Sequence, residues 1–149
     1  MNLPEKRESA KIFEGWNGMK SAFDELFKRA SSKEYIVFAV SPLPSVEERF
    51  RRFIFKVQQK KSRLNIPLRI LINKEFKETI GTDREKEPRT KVRYVPKELS
   101  GPAAINVYGD WTLVALWADP PSAFIIENEE VANSFRNYFD MLWENASPR

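Results

Sequence analysis

The sequence predicts a single α/β domain in which a mostly six-stranded sheet mixes parallel and antiparallel pairs and carries helices on both faces. Three observations predict it. Two apolar runs, YIVFAVS at 35–41 and PLRILIN at 67–73, flank an amphipathic stretch, the pattern of two parallel strands joined through a helix. The segment PAAINVYGDWTLVALW, 102–117, holds two apolar runs meeting at Gly109-Asp110, which reads as a tight hairpin. SAFIIE, 122–127, runs into a last segment that has both a helix cap and helical periodicity.

The elements follow in order. Residues 1–12 are polar and read as a loose lead-in to a domain spanning 13–149. Trp16, Met19, Phe23, Leu26, Phe27 and Ala30 recur at helical spacing, so a helix is expected at about 17–31, ending at Ser31-Ser32. YIVFAVS is apolar on both faces and stopped by Pro42, as a central strand would be. Ser45 is placed to cap the next helix, Glu47 and Glu48 suit its positive first turn, and Val46, Phe50, Phe53 and Val57 form its buried stripe. After PLRILIN, residues 74–91 are mostly charged and read as a short helix near 75–80 followed by an exposed loop. KVRYVP, 91–96, is a third strand, the hairpin adds 104–108 and 111–117, and 122–127 is the sixth. Asn128 caps the last helix, whose apolar face is Val131, Ala132, Phe135, Phe139, Leu142 and Trp143.

Two absences restrict the chemistry. The chain has no cysteine and no histidine. Zinc sites built on thiolate or imidazole are excluded, as are Ser-His-Asp and Cys-His nucleophiles within this chain. No EF-hand pattern or glycine-rich phosphate loop is present, so neither metal nor cofactor is expected. No apolar run approaches a membrane span and the N-terminus lacks a secretory core, so a cytoplasmic protein is expected. A formal net charge of +4 permits nucleic-acid binding without arguing for it.

The phrases IFEGWNGMKSAFDELF, INVYGDWTLVALW and FIIENEEVANSFRNYFDMLWENA resemble the C-terminal effector domain of TrmB-like archaeal transcriptional regulators. The resemblance runs from Ile12 to Ala146 and is most specific in the last segment. It implies a fold similar to one half of the phospholipase D-like superfamily, whose catalytic strand carries His-x-Lys-x-x-x-x-Asp. With Asp110 as that aspartate, the histidine position falls on Ala103 and the lysine position on Ile105. A methyl group is no nucleophile, and an isoleucine cannot offset phosphate charge. Residues 117–122 also lack the Gly-Ser-x-Asn run of active members. The resemblance therefore implies a non-catalytic regulatory domain that binds an effector and dimerises. The regulators carry a helix-turn-helix domain upstream, for which residues 1–12 leave no room, so the chain is expected to be either an excised fragment or, as the starting Met1 favours, a stand-alone copy without attached DNA binding.

The site residues follow from this. A ligand is expected beyond the carboxyl ends of the parallel strands, at Ser41 and Asn73, beside Ala103 and Ile105, with Asp110 included as the superfamily's aspartate. As a residue of a Gly-Asp hairpin tip, Asp110 also reads as a plain turn residue. Arg49, Arg52, Lys56, Lys60 and Arg63 share one face of the helix at 46–63 and could track a phosphate backbone, or form an ordinary solvated face. Arg69 and Arg93, inside strands, either reach solvent or hold an anionic effector. A hairpin apolar on both sides near a sheet edge motivates a homodimer, or association with a full-length regulator. The rival readings are a metal-dependent phosphodiesterase or nuclease using carboxylates, and direct nucleic-acid binding through the basic helix.

Overall fold

The computed structural model describes residues 9–28, 33–96 and 101–149. These form β1 (Ser9–Glu14), α1 (Gly15–Phe27), β2 (Tyr35–Val40), α2 (Glu47–Arg63), β3 (Leu68–Asn73), α3 (Thr82–Glu85), β4 (Thr90–Val95), β5 (Ala103–Tyr108), β6 (Trp111–Leu116), β7 (Ser122–Glu127) and α4 (Glu129–Glu144). The described strands make one sheet in the order β1-β7-β6-β5-β2-β3-β4. β2, β3 and β4 run parallel, and the remaining pairs are antiparallel. None of the described helices is long and apolar enough to cross a membrane.

The sheet has seven strands where six are expected, because the lead-in ends in one. Ser9–Glu14 pairs with β7 along its full length, Ser9 opposite Glu127 and Glu14 opposite Ser122. SAKIFE shows little alternation because it is an edge strand held by backbone hydrogen bonds, which do not depend on side chains. The hairpin lies deeper than its expected place near a sheet edge. β5 and β6 lie inside the sheet between β2 and β7, so their two apolar faces are both covered and leave no edge for a partner.

α1 and α2 cover one face. Met19, Phe23, Leu26 and Phe27 of α1 meet Phe50 of α2 over Tyr35, Val37, Ile70, Ile72, Leu113 and Ile125. Trp117 sits at the centre, 4.7 Å from Phe50, 5.6 Å from Phe53, and 6.2 Å from both Trp16 and Phe23. Each aromatic pair adds about 0.5–1.5 kcal/mol to the burial of its area. α4 covers the other face, with Ala132 and Phe139 over Ile36, Phe38, Leu71, Val95 and Val107. Its cap forms as expected: the Asn128 side chain accepts from the Val131 amide at 3.0 Å. The expected cap of α2 does not. A 3₁₀ turn at Pro44–Val46 precedes that helix, Val46 takes the cap position, and no side chain bonds there. The expected end of α1 at Ser31-Ser32 lies outside the described residues.

The largest departure lies at 74–88. A 3₁₀ turn (Lys74–Phe76), a π turn (Lys77–Gly81) and α3 follow one another without a break. Far from forming an exposed loop, Ile80, Gly81, Arg84 and Glu87 are buried. Gly81 allows this, since a methyl group there would strike the Tyr94 ring.

Candidate ligand site

The expected site residues separate into two groups. β2 and β3 are parallel and β5 is antiparallel to β2, so Ser41, Asn73 and Ala103 gather at one end of the sheet. Ile105 lies two residues further in and packs half-buried against the layer under α4. Asp110 is at the opposite end of β5, roughly 20 Å away at a strand's rise per residue. It is exposed at the hairpin tip, and its carbonyl accepts from the Asn128 amide at 2.9 Å. The neighbouring Gly109 carbonyl takes a 2.6 Å bond from Arg136. Asp110 therefore joins no cluster with the strand-end residues; its place is a turn pinned to α4.

The strand end has its own irregularities. Ala39 adopts φ 60° at a bulge where the β2–β3 register shifts, so Phe38 and Ala39 both pack toward α4 before Val40 returns to the other layer. Asn73 is fully buried, and neither its Oδ1 nor its Nδ2 has a hydrogen-bond partner among the described residues. Ser41 is half-buried and Ala103 exposed. The two strand arginines are already engaged with neighbouring side chains and α4. Arg69 pairs with Glu34 at 2.8 Å and Asp140 at 3.2 Å, over the rings of Phe139 and Trp143. Arg93 donates to the Trp143 carbonyl at 2.8 Å and lies over the same indole. Both tie α4 to the sheet.

A second place, unforeseen from the sequence, is built by α2 and the segment carrying α3. Between them runs a groove of about 1030 Å³, at the upper end of the range for small-molecule pockets. Phe50, Ile54, Phe55 and Ile80 make its apolar lining, and Phe55 is 59% exposed. Arg84 and Glu87 line it and, with Lys61 outside the lining, form a buried charge triad. Lys61 Nζ is 2.8 Å from Glu87 Oε1, and Arg84 Nε is 3.4 Å from Glu87 Oε2. The three side chains are 1%, 5% and 2% exposed for Lys61, Arg84 and Glu87. Lys61 also donates to the Ile66 carbonyl at 3.0 Å and to Thr90 at 3.3 Å. Burial lowers the Lys61 ammonium below its ordinary value, and Glu87 opposes that shift. Arg84 Nε and Nη1 make no hydrogen bond among the described residues, and the side chain lines both the groove and a small cavity behind it. In that cavity the Tyr35 hydroxyl bonds to the Asn106 carboxamide. Burial pushes the hydroxyl well above its ordinary pKa while the charge of Arg84 pulls it down.

The basic stripe on α2 divides across this groove. At about 100° per residue, Arg52, Arg63 and Lys56 fall about 60°, 40° and 20° to one side of Arg49, with Lys60 about 20° to the other. The first three line the groove. Arg49 lies over the Trp16 ring at 4.5 Å, and Lys60 binds Asp24 at 2.8 Å, both toward α1. Arg52 is paired with Glu48 at 2.9 Å, and Arg51 with Asp83 at 2.7 Å. Lys56, Arg63 and Lys86 have no carboxylate partner among the described residues. The sequence signal for this site was the triad's residue types, Lys61, Arg84 and Glu87, in segments that looked solvated; only the fold brings them together.

An open α/β sheet with two helices on one face, one long helix on the other and a central β5–β6 hairpin is a phospholipase D-like fold. Solved structures with a similar fold include TrmBL2, NucT and Nuc. TrmBL2, an archaeal chromatin protein whose structure shows a novel mode of DNA binding, is 16% identical with a TM-score of 0.61 over 99% of this chain. The chain spans 57% of the length of TrmBL2. NucT from Helicobacter pylori is 15% identical with a TM-score of 0.63, covering 96% of this chain and 100% of its own. Nuc from Salmonella typhimurium, a phospholipase D family member, is 9% identical with a TM-score of 0.67, covering 96% and 99%. At these identities the likeness is one of fold. No protein-family model and no curated protein sequence matches the chain.

Proposed function

We propose that this domain is a non-catalytic regulatory module of the TrmB-like kind, which binds a small effector and thereby shifts an association equilibrium. One observation carries the reading. On β5, the positions that the superfamily resemblance assigns to imidazole and ammonium hold Ala103 and Ile105, and the whole chain contains no histidine. Ile105 is moreover packed into the layer under α4, committed to the hydrophobic core. Without a nucleophile and a cation on that strand, the fold has lost the groups that would attack phosphorus and stabilise the charge that develops. Its groove and half-buried polar strand end suit recognition.

The test is hydrolysis of bis-p-nitrophenyl phosphate and of plasmid DNA with magnesium and manganese. No turnover above the uncatalysed rate is expected, and turnover at an ordinary enzymatic rate overturns the reading in favour of a carboxylate-based phosphodiesterase. Association as a homodimer, or with a full-length regulator, belongs to the same proposal and rests on the TrmB-like resemblance, since the hairpin that motivated it from the sequence lies inside the sheet. Light scattering at micromolar concentration checks the homodimer, with a dimer mass expected.

The likeness to TrmBL2 favours a second reading, direct DNA binding through α2. Against it, Arg49, Arg52 and Lys60 are occupied by Trp16, Glu48 and Asp24. Filter binding at low ionic strength separates the two, since a phosphate-tracking helix retains DNA and loses it steeply with salt.

A further inference from the structure

We propose that the groove between α2 and α3 is the effector site, and that its occupant is a small organic anion: a phosphate or carboxylate head on an aryl or alkyl body, with Arg84 as the anchor. This rests on the reading of the domain as an effector-binding module and names the ligand class it takes.

The charge at the base asks for an anion. Lys61 and Arg84 bring two positive charges against the single carboxylate of Glu87, in a spot nearly closed to water. A buried guanidinium is stable when its fork of donors is filled; here Nε has only the 3.4 Å ion pair with Glu87, and Nε, Nη1 and both Glu87 oxygens make no hydrogen bond among the described residues. An oxyanion entering the groove would supply acceptors to that fork and cancel the excess positive charge where the local dielectric is low. The rim adds to the same field. Lys56, Arg63 and Lys86 stand around the opening, while Arg51 and Arg52 are neutralised by Asp83 and Glu48.

The shape selects a small molecule with an apolar part. Ile54 and the 59%-exposed Phe55 offer accessible hydrocarbon surface beside the cationic base, which a bare phosphate ion would leave uncovered. A nucleic-acid backbone presents its phosphates at a surface and would not reach Arg84, which is 4% exposed. The π turn that feeds α3 supports the assignment, since such turns recur where a helix is bent to place a functional side chain.

The experiment is isothermal titration of the full chain with 2-naphthyl phosphate and 2-naphthoate, with 2-naphthol as neutral control and inorganic phosphate as head-group control. Binding is expected for one or both naphthyl anions, at least tenfold tighter than for 2-naphthol and for inorganic phosphate. If the phosphate ester binds tighter than the carboxylate, the head is a phosphate; the reverse order assigns a carboxylate. Arg84→Met is expected to reduce affinity at least tenfold, with folding checked by circular dichroism. Because Arg84 is buried, Lys56→Ser combined with Arg63→Ser provides a second variant on exposed positions, expected to weaken the anion about tenfold and leave 2-naphthol unchanged. Equal affinity for 2-naphthol, or anion affinity unchanged within twofold in both variants, overturns the proposal. So does competition in which duplex DNA displaces the anion and itself depends on Arg84, since that makes the occupant a nucleic acid. Failure here with no phosphodiester hydrolysis removes only the anion assignment, whereas hydrolysis removes the regulatory reading while leaving the groove's ligand class standing.

Discussion

Replacing Glu87 by glutamine removes one negative charge from between two buried cations while keeping the size of the side chain. The carboxylate lies 2.8 Å from Lys61 Nζ and 3.4 Å from Arg84 Nε, and none of the three side chains is more than 5% exposed. Removing one member of a buried ion pair costs about 3–5 kcal/mol, because the remaining charge stays desolvated. Glutamine keeps a carbonyl oxygen that can accept from Lys61, so we take the lower end, about 3 kcal/mol. For a domain of this size that corresponds to a fall in Tm of about 6–12 °C. Urea titration should show a lower midpoint at unchanged slope, since the surface exposed on unfolding is the same. The pH dependence supplies an independent check. The folded-state pKa of Lys61 is already lowered by burial from an ordinary 10.5, and losing Glu87 lowers it further. The unfolded chain then holds more protons than the folded one between the two values, so stability rises with pH across that window. The deficit of Glu87→Gln should be largest near neutrality and shrink toward pH 10. Adding Lys61→Met to Glu87→Gln removes the second cation and should restore at least half the loss. A loss below about 1 kcal/mol, or a deficit independent of pH, would refute the claim that this triad is a desolvated, mutually compensating unit.

Two further outcomes are expected. Trp117→Ala should cost about 3–5 kcal/mol in urea titration, because the indole is 2% exposed among Trp16, Phe23, Phe50 and Phe53; a loss below about 2 kcal/mol would mean the aromatic centre collapses around the gap. Gly81→Ala should destabilise by about 1–3 kcal/mol, because the added methyl would sit 2.8 Å from Tyr94 Cε1, and thermal unfolding within 0.5 kcal/mol of the parent, about the range of a neutral surface change, would show that Tyr94 moves aside freely.

The parallel part of the sheet was legible: Tyr35–Val40 read as a doubly covered strand from its composition, Leu68–Asn73 as the strand joined to it through a helix, and β2–β3 pairing is parallel as expected, whereas the hairpin read as near an edge lies at the centre. The last helix was legible down to its cap, since an Asn-Glu-Glu start and a helical apolar stripe are local features. The edge strand β1 was not. Its side chains carry no pattern because neither face is fully buried, and its place comes from backbone pairing with β7. The gathering of Ser41, Asn73 and Ala103 at one end of the sheet was legible from strand polarity, and the same polarity carries Asp110 to the far end. Arg69 and Arg93 read as reaching solvent or as holding an anion, and the choice was not legible because their partners, Glu34, Asp140 and the indole of Trp143, come from outside their own strands.

What the sequence by itself determined is the class of chain: an α/β sheet protein with a hairpin at Gly109-Asp110 and no histidine anywhere in it. Those are matters of periodicity and residue type, which each short segment carries within itself. Only the tertiary structure decided that Lys61, Arg84 and Glu87 meet under a groove, and that a five-residue basic stripe splits between α1 and that groove. The hydrophobic pattern says which side of an element faces inward. Which charges are carried inward with it, and whether they find one another, depends on neighbours that become adjacent only when the chain has folded.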